Sequence, residues 1–164
     1  LLSTLHTNSA IESIPRLVNM GLPPFMIAPS LSAIIAQRLV RKVCHDCSTM
    51  EEVDKSTRED LQQTLDKIKG VRKDITVEIP AQLPKANGCE KCSNTGYTGR
   101  LVVSEILMVD FEIRDAILNQ ESSVKIIEYA RRKGFLTMRE DGVLKVIEGR
   151  TSLEEVYRVT NIVG

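Results

Sequence analysis

The sequence has no tryptophan, and aromatic residues make up only 4% of its 164 residues. Proteins that stack nucleobases on aromatic side chains usually contain more of them. Net charge is absent as well, because 22 basic residues balance 22 acidic ones. A chain without net charge has no strong electrostatic attraction to nucleic acid or to a lipid surface. We therefore expect no nucleic-acid partner.

Long hydrophobic runs are also missing from the sequence. The most apolar region, residues 22–40, is interrupted by several prolines and polar residues, and neither a signal peptide nor a spanning helix is recognisable. We therefore expect a cytosolic location. With 42% hydrophobic residues, the chain is long enough for one sizeable core or two small lobes. The interrupting residues are Pro23, Pro24, Pro29, Gln37 and Arg38.

Cysteine is scarce, but its spacing is informative. The four cysteines form two C-x-x-C pairs, Cys44 with Cys47 and Cys89 with Cys92. Two such knuckles are the usual way to hold one tetrahedral zinc with four thiolates. A filled shell leaves no open position for a substrate, so the predicted zinc is structural, and His45 inside the first knuckle is a bystander. Disulfides, a redox pair and four unmetallated thiols are the alternatives that the residues leave open.

The segment between the knuckles, residues 48–88, has the character of a polar insertion. It contains a predicted helix that begins at a capping box of Ser56 and Glu59 and ends at Gly70. Alternation of apolar and polar residues predicts a short strand over 74–80. The apolar face of the predicted helix consists of Leu61, Leu65 and Ile68.

The rest of the chain divides into two strands and several helices. After the second knuckle, the apolar run 100–109 predicts a buried strand, and the chain is helical from there to its end. Capping signals at Thr137 with Glu140 and at Thr151 with Glu154 mark the last two helices. We therefore predict a C-terminal helical bundle. The N-terminal predictions are a strand over 1–5, a helix over 10–20 and a longer helix over 24–43, whose last turns hold the cations Arg38, Arg41 and Lys42.

A polar stretch follows the first predicted strand and includes Thr4, His6 and Thr7. Ligands of open α/β sheets bind beyond the carboxyl ends of strands, so these side chains are candidates for a phosphate contact. A lone histidine in a loop is more often a bystander, and Asn8 or Ser9 would serve equally well as a helix cap. The chain opens in what reads as the end of a buried strand, so we expect an N-terminal part to precede it.

Several motifs occur together and in an order that resembles one family, the secretion ATPases of type II secretion and type IV pilus assembly. The resemblance covers essentially the whole chain and corresponds to the C-terminal part of these proteins. It rests on STLHTNSA, IPRLVNMG, IAQRLVRKVC, the two C-x-x-C knuckles, GYTGRLVVSEIL and LTMREDGVLKVIEGRTSLEEVYRVT.

The resemblance implies a fold and a division of the chain. Its fold class is a mostly helical α/β remnant of a RecA-like ATPase core, with a tetracysteine zinc subdomain and a C-terminal helical bundle. Residues 1–43 would be the end of the ATPase core, with the His box and the helices that follow. Residues 44–99 would be the zinc subdomain with its helical insertion, and residues 100–164 a strand and the helical subdomain.

The family also implies roles for individual residues. His6 would reach toward the γ-phosphate of ATP as the catalytic residue of the His box, with Thr4 and Thr7 beside the nucleotide. The zinc ligands would be Cys44, Cys47, Cys89 and Cys92. The intact protein would bind ATP and Mg²⁺ and act as a homo-hexamer. It would lie at the cytoplasmic face of the inner membrane, in contact with platform proteins of the secretion or pilus machinery.

One departure from the family pattern concerns the chemistry. The sequence contains no G-x-x-x-x-G-K-[ST] loop to hold the α- and β-phosphates, and the acidic motifs that would bind Mg²⁺ are missing too. We therefore expect these residues alone to be inactive as an ATPase. The alternative function is a free-standing zinc-ribbon module that binds nucleic acid or a protein, which the low charge and the few aromatics disfavour.

Overall fold

The computed structural model describes residues 2–160. In this range helices and strands alternate early, and the chain is helical after the last strand. The elements are α1 (Ser13–Asn19), α2 (Pro24–Ser30), β1 (Ala33–Val43), β2 (Thr49–Glu52), α3 (Lys55–Val71), β3 (Gln82–Lys85), β4 (Tyr97–Met108), α4 (Phe111–Leu118), α5 (Ser123–Arg132), α6 (Met138–Ile147) and α7 (Leu153–Thr160).

The compact units of the structure do not follow chain order. Within the described residues, unit 1 combines the chain up to Gln37 with Glu105–Leu136, and unit 2 combines Arg38–Ser104 with the chain from Thr137 onward. Strands β1 and β4 pair in one two-stranded sheet, and each of them continues from one unit into the other. Strands β2 and β3 pair antiparallel in a second sheet within unit 2.

Unit 1 is built around an apolar cluster to which helices α1, α2, α4 and α5 contribute. The Asp110 side chain caps α4 by accepting from Ile113 N at 3.0 Å, and Ser122 caps α5 by accepting from Lys125 N at 3.4 Å. Such caps satisfy N–H groups that have no partner inside the helix. The buried residues of this core include Ala10, Ile11, Ile14, Ile27, Leu107, Ile113, Ile117, Ile126 and Phe135.

Unit 2 has its own core, in which α3, α6, α7 and β3 meet. A capping box fixes the start of α6, because the side chains of Thr137 and Glu140 each accept a hydrogen bond from the other's backbone N–H. The fully buried members of this core are Leu61, Val143, Val146 and Val156. Within residues 2–160, no helix combines the length and the apolar character needed to cross a membrane.

Gly142 sets the distance of closest approach between α6 and α7. A Cβ atom added at Gly142 would lie 2.5 Å from Cγ1 of Val156, whose side chain is fully buried. We expect Gly142→Ala to lower the free energy of unfolding by about 1–3 kcal/mol, because a close-packed core must shift to admit the methyl group. Urea unfolding followed by circular dichroism measures this loss.

The chain offers a matched control for that prediction. Gly70 also lies in a helix, near the end of α3, but a Cβ atom there would meet nothing within 4 Å. We expect Gly70→Ala to stabilise the protein by roughly 0.5–1 kcal/mol, because alanine loses less backbone entropy in a helix. Two substitutions with the same sign would show that backbone propensity, rather than contact with Val156, controls the effect.

The predicted helix over 24–43 is wrong in its larger part. Helix α2 ends at Ser30, and the chain continues as β1, which pairs with β4. The apolar residues Leu31, Ile34, Ile35, Leu39 and Val43 fit a helical period, but the β-branched ones among them suit a strand equally well. Hydrogen bonding to β4 decides the outcome. The cations Arg38, Arg41 and Lys42 therefore lie on a strand and not in the last turn of a helix.

The predicted strands over 1–5 and 74–80 are also wrong. Residues 2–5 lie outside any strand, with the Leu2 side chain 99% exposed, and Leu1 falls outside the described residues. Residues 74–80 likewise lie in no strand, and the strand partner of β2 is the next segment, β3. Alternation alone does not select the segment that finds a partner strand.

Two helix starts differ from their predictions by one or two residues. Helix α3 is capped by Asp54, which accepts from Thr57 N at 3.0 Å, so the predicted box of Ser56 and Glu59 is wrong. Helix α7 is capped by Ser152, whose Oγ accepts from Glu155 N at 3.3 Å. Thr151, predicted as that cap, instead donates to Arg41 O at 2.8 Å.

Other predicted elements are confirmed. Helix α3 forms and buries Leu61, Leu65 and Ile68, although it continues through Gly70 to Val71. The strand predicted over 100–109 is present as β4. Helices α4 to α7 form in the C-terminal part of the chain, with α4 and α5 in unit 1 and α6 and α7 in unit 2. Their association as one bundle stays a prediction.

Candidate metal centre

The structure brings the four cysteines together in unit 2, as the sequence predicts. Their Sγ atoms all lie within 4.8 Å of one another. The Sγ of Cys89 lies 3.7 Å from that of Cys92 and 4.0 Å from that of Cys44, and the Sγ atoms of Cys47 and Cys92 are 3.8 Å apart. All four are free thiols, with Cys44 and Cys92 buried and the other two half-buried.

The first knuckle follows directly on β1. Its turn is closed by hydrogen bonds from Cys47 N and Ser48 N to Cys44 O, at 3.4 and 2.9 Å. The Sγ atoms of Cys44 and Cys47 both belong to the cluster of four sulfurs. His45, between the two cysteines, is exposed and is not among the four residues whose ligand atoms converge.

The second knuckle contains a short 3₁₀ turn, Glu90–Cys92, and two of its backbone N–H groups point at one sulfur. Cys89 N and Gly96 N each donate to Cys92 Sγ at 3.2 Å. The chain then reverses through left-handed backbone, with φ of 51° at Ser93, 57° at Asn94 and 77° at Gly96. This geometry agrees with the turn-forming composition of the sequence beyond Cys92.

The separations between the sulfurs match those of a four-thiolate metal site. Four sulfurs at about 2.3 Å from a central zinc form a tetrahedron with edges of about 3.8 Å. Three of the six separations, at 3.7, 3.8 and 4.0 Å, bracket that edge, and all six are within 4.8 Å. A soft donor set of four thiols also suits zinc better than a hard cation such as Mg²⁺. The four cysteines can therefore hold a tetrahedral metal ion.

Two thiols of the four-cysteine cluster, which we call the tetrad, differ in acidity: those of Cys47 and Cys92. Burial raises the pKa of Cys92, but the N–H bonds from Cys89 and Gly96 to its sulfur outweigh burial and lower the pKa to about 6. Burial and hydrogen bonding with the neighbouring thiols instead raise the pKa of Cys47 to about 12. A thiolate is the form that binds a metal. The two N–H groups therefore favour the thiolate form of Cys92.

Residues outside the tetrad connect the two knuckles. Asn87 Nδ2 donates to Cys47 O at 2.8 Å and to Thr49 Oγ1 at 3.0 Å. Lys91 Nζ lies 2.6 Å from Asp46 Oδ1, which lowers the pKa of that carboxyl group. The prediction from sequence did not include Asn87. The Asn-Gly pair directly before Cys89 was the available signal, since such pairs mark tight turns.

The predicted nucleotide-contacting residues lie in unit 1, in a segment without helix or strand. Thr4 and His6 are exposed. Thr7 Oγ1 donates to Ser9 O at 3.1 Å and lies 2.9 Å from Ser13 Oγ, so this hydroxyl fixes the entry to α1.

Comparison with known proteins identifies the family of this chain. A family model described as "Type II/IV secretion system protein" matches residues 1–158. The type IV pilus assembly ATPase PilB of Thermus thermophilus is 44% identical over 98% of this chain, and the PilB protein of Pseudomonas aeruginosa is 42% identical over 98%. The type II secretion system ATPase E of Vibrio cholerae is 39% identical over 98%.

These matches show that the chain belongs to the type II/IV secretion system protein family. The resemblance given by the sequence motifs is therefore confirmed. The chain spans 17% of the length of the Thermus relative, 26% of the Pseudomonas PilB and 29% of the Vibrio protein.

Proposed function

We propose that these residues act within a hexameric ATPase that powers type II protein secretion or type IV pilus assembly. The observation that carries the proposal is the family match along residues 1–158, joined to relatives whose names specify ATPases of these two systems. In this proposal, ATP hydrolysis drives motion that is passed to platform proteins at the cytoplasmic face of the inner membrane. No observation on the described residues favours the alternative of a free-standing binding module.

Within that protein we propose the division expected from the sequence. Residues 1–43 complete a RecA-like ATPase core, residues 44–99 form the metal subdomain, and residues 100–164 carry a strand and the helical part. The clustering of the four cysteines supports the second of these parts. Strands β1 and β4 link the first and third parts through their pairing.

We propose zinc as the metal of the tetrad, with a structural role. The ligands are Cys44, Cys47, Cys89 and Cys92, which fit a closed tetrahedral shell in number, donor type and spacing. Zinc bound in this way supplies cross-linking between the knuckles and has no open position for a substrate. The segment 48–88, with α3 in it, is then closed at both ends by the metal.

The proposed nucleotide contacts are those of His6, with Thr4 and Thr7 as neighbours. The exposure of His6 and Thr4 supports this role, since both can reach a phosphate group outside the chain. These 164 residues contain no P-loop, so we expect no ATP hydrolysis from them alone. The hydrolytic step requires the phosphate loop and Mg²⁺ ligands that the family places elsewhere in the protein.

The test of this proposal is ATP hydrolysis by a protein that joins these residues to the P-loop part of the family. We expect His6→Ala to lower kcat by roughly 10²–10³-fold, the usual loss when one positioned donor to a transition state is removed. His45→Ala is the matched control, because these are the two histidines of the chain and both are exposed. Equal ATPase activity of the two variants would show that His6 is not a catalytic residue.

A further inference from the structure

We infer that Gly96 is the positioning residue of the metal centre, acting through its backbone on both knuckles at once. Its N–H donates to Cys92 Sγ at 3.2 Å, and its carbonyl oxygen accepts from Cys44 N at 2.8 Å. One residue thereby contacts a ligand of the second knuckle and the backbone of a ligand of the first. The inference rests on the proposed metal site and adds a residue that is not itself a ligand.

The backbone at this position requires glycine. Gly96 has φ of 77° and is buried, and this left-handed conformation is strained for residues with a Cβ atom. There is also no space for a side chain. An added Cβ would overlap Asn87 O and would lie 2.9 Å from Ala86 Cβ and 3.0 Å from Asn87 N. The residues before the second knuckle therefore enclose Gly96 and hold its peptide groups in place.

The two hydrogen bonds of Gly96 have separate effects on the centre. A donor aimed at a thiolate stabilises its negative charge, so the N–H of Gly96 favours Cys92 as a ligand. The bond from Cys44 N to Gly96 O fixes the distance between the backbone of the first knuckle and the loop that follows the second knuckle. Movement of either knuckle thus disturbs the other through a single residue.

The N–H···S bond can be observed directly in the wild-type chain. We propose loading the ¹⁵N-labelled protein with ¹¹³Cd and measuring scalar coupling between the metal and the amide protons by NMR. Coupling reaches an amide proton only when its hydrogen bond ends on a metal-bound sulfur. We expect coupling at Gly96 and at Cys89, the two amides that donate to Cys92 Sγ.

The matched variants are Gly96→Ala and Gly99→Ala. Gly99 has nearly the same strained backbone, with φ of 71°, but an added Cβ there meets only Lys42 Cδ at 4.0 Å. We expect Gly96→Ala to lower zinc affinity by roughly 10–100-fold, the usual effect of losing an outer contact of a metal site. Gly99→Ala should bind zinc as the wild type does. Competition with a chelator of known affinity measures both.

The outcomes separate the inference from the proposal beneath it. A wild-type chain that binds neither zinc nor cadmium would overturn the metal site itself. A wild-type chain that binds ¹¹³Cd without coupling at the Gly96 amide would overturn the role of Gly96 and leave the site intact. Equal zinc affinity of the two alanine variants would do the same. If Gly96→Ala does not fold, the coupling in the wild type decides.

Discussion

Purified without added metal, the chain is expected to contain one zinc per molecule, and removing that zinc is expected to disorder the two knuckles. The reason is that the proposed metal would join the two knuckles at the ends of the segment 48–88, whereas α3 and β3 inside it are held by the core of unit 2. Structural zinc contributes on the order of 10 kcal/mol to the folding of zinc-finger peptides. We therefore expect strong chelators to expose all four thiols and to open the two knuckles, residues 44–47 and 87–96, to proteolysis.

The matched variants are Cys92→Ser and His45→Ala. Cys92 is buried and accepts two N–H bonds at its sulfur, whereas His45 is an exposed residue of the first knuckle. We expect Cys92→Ser to lose the zinc and about 5 kcal/mol or more of unfolding free energy, and His45→Ala to keep both. Four freely reacting thiols and no metal in the wild type would contradict the structural zinc. Elemental analysis and thiol titration provide the measurement.

The second large effect is expected at Glu155, a carboxylate buried in unit 2. Its side chain has no exposed surface, and it accepts from Arg41 Nε at 3.0 Å, from Arg41 Nη2 at 2.7 Å and from Arg158 Nη2 at 2.6 Å. The backbone N–H of Arg41 also donates to it, at 3.0 Å. A buried charge is tolerated only with such partners. Glu155 thereby fastens α7 to the end of β1.

We expect Glu155→Gln to lower the free energy of unfolding by roughly 2–4 kcal/mol at neutral pH. The amide removes the charge and sets its own N–H₂ donors against those of the arginines. This loss of free energy is smaller than the loss expected when a fully buried charge is left without a partner. The reason is that the side chains of Arg41 and Arg158 are 43% and 57% exposed and can be hydrated by water. Glu154→Gln, at the exposed neighbour, should change stability by less than about 0.5 kcal/mol.

The same carboxylate predicts a pH dependence. Burial raises the pKa of Glu155, but the hydrogen bonds from Arg158 and Arg41 outweigh burial and hold it well below its usual range. The unfolded chain binds this proton more readily, so the stabilisation is complete above the unfolded pKa of about 4.3 and is lost as pH falls below it. The difference between wild type and Glu155→Gln should therefore be constant from pH 7 to about pH 5 and shrink in more acid buffers. An unchanged difference at pH 3 would contradict this origin.

The structure also shows why helices were easier to predict than strands. Helix α6 carries its start signal within itself, since Thr137 and Glu140 cap each other across one turn. Strand β1 has no comparable local signal. Its apolar residues fit a helix as well as a strand, and only the hydrogen bonds to β4, more than fifty residues later in the chain, decide between them. The same holds for β3: it pairs with β2, whereas residues 74–80, which have the alternating pattern of a strand, form none.

The ligands of the candidate metal site were predictable from the sequence, but the residues around them were not. Two C-x-x-C pairs identify four thiols for one metal because the spacer within each pair already turns both sulfurs the same way. The contacts of Asn87 with the first knuckle and of Gly96 with both depend on segments that meet only in the folded chain. The contact of Glu155 with Arg41 is a further case, since the two residues are 114 positions apart in sequence.

The sequence by itself determined the family, the four thiols, the polar stretch around His6 and the helices that contain their own caps. The thiol pairs, the polar stretch and the caps are local, since their chemistry lies within a few neighbouring residues, and the family follows from the order of such short motifs along the chain. Tertiary structure alone decided that residues 33–43 form a strand and that Glu155 is buried against Arg41. It also decided that the Gly96 backbone serves both knuckles. These outcomes depend on hydrogen bonds and burial between distant segments, and local sequence does not encode which partner a backbone or a charge will meet.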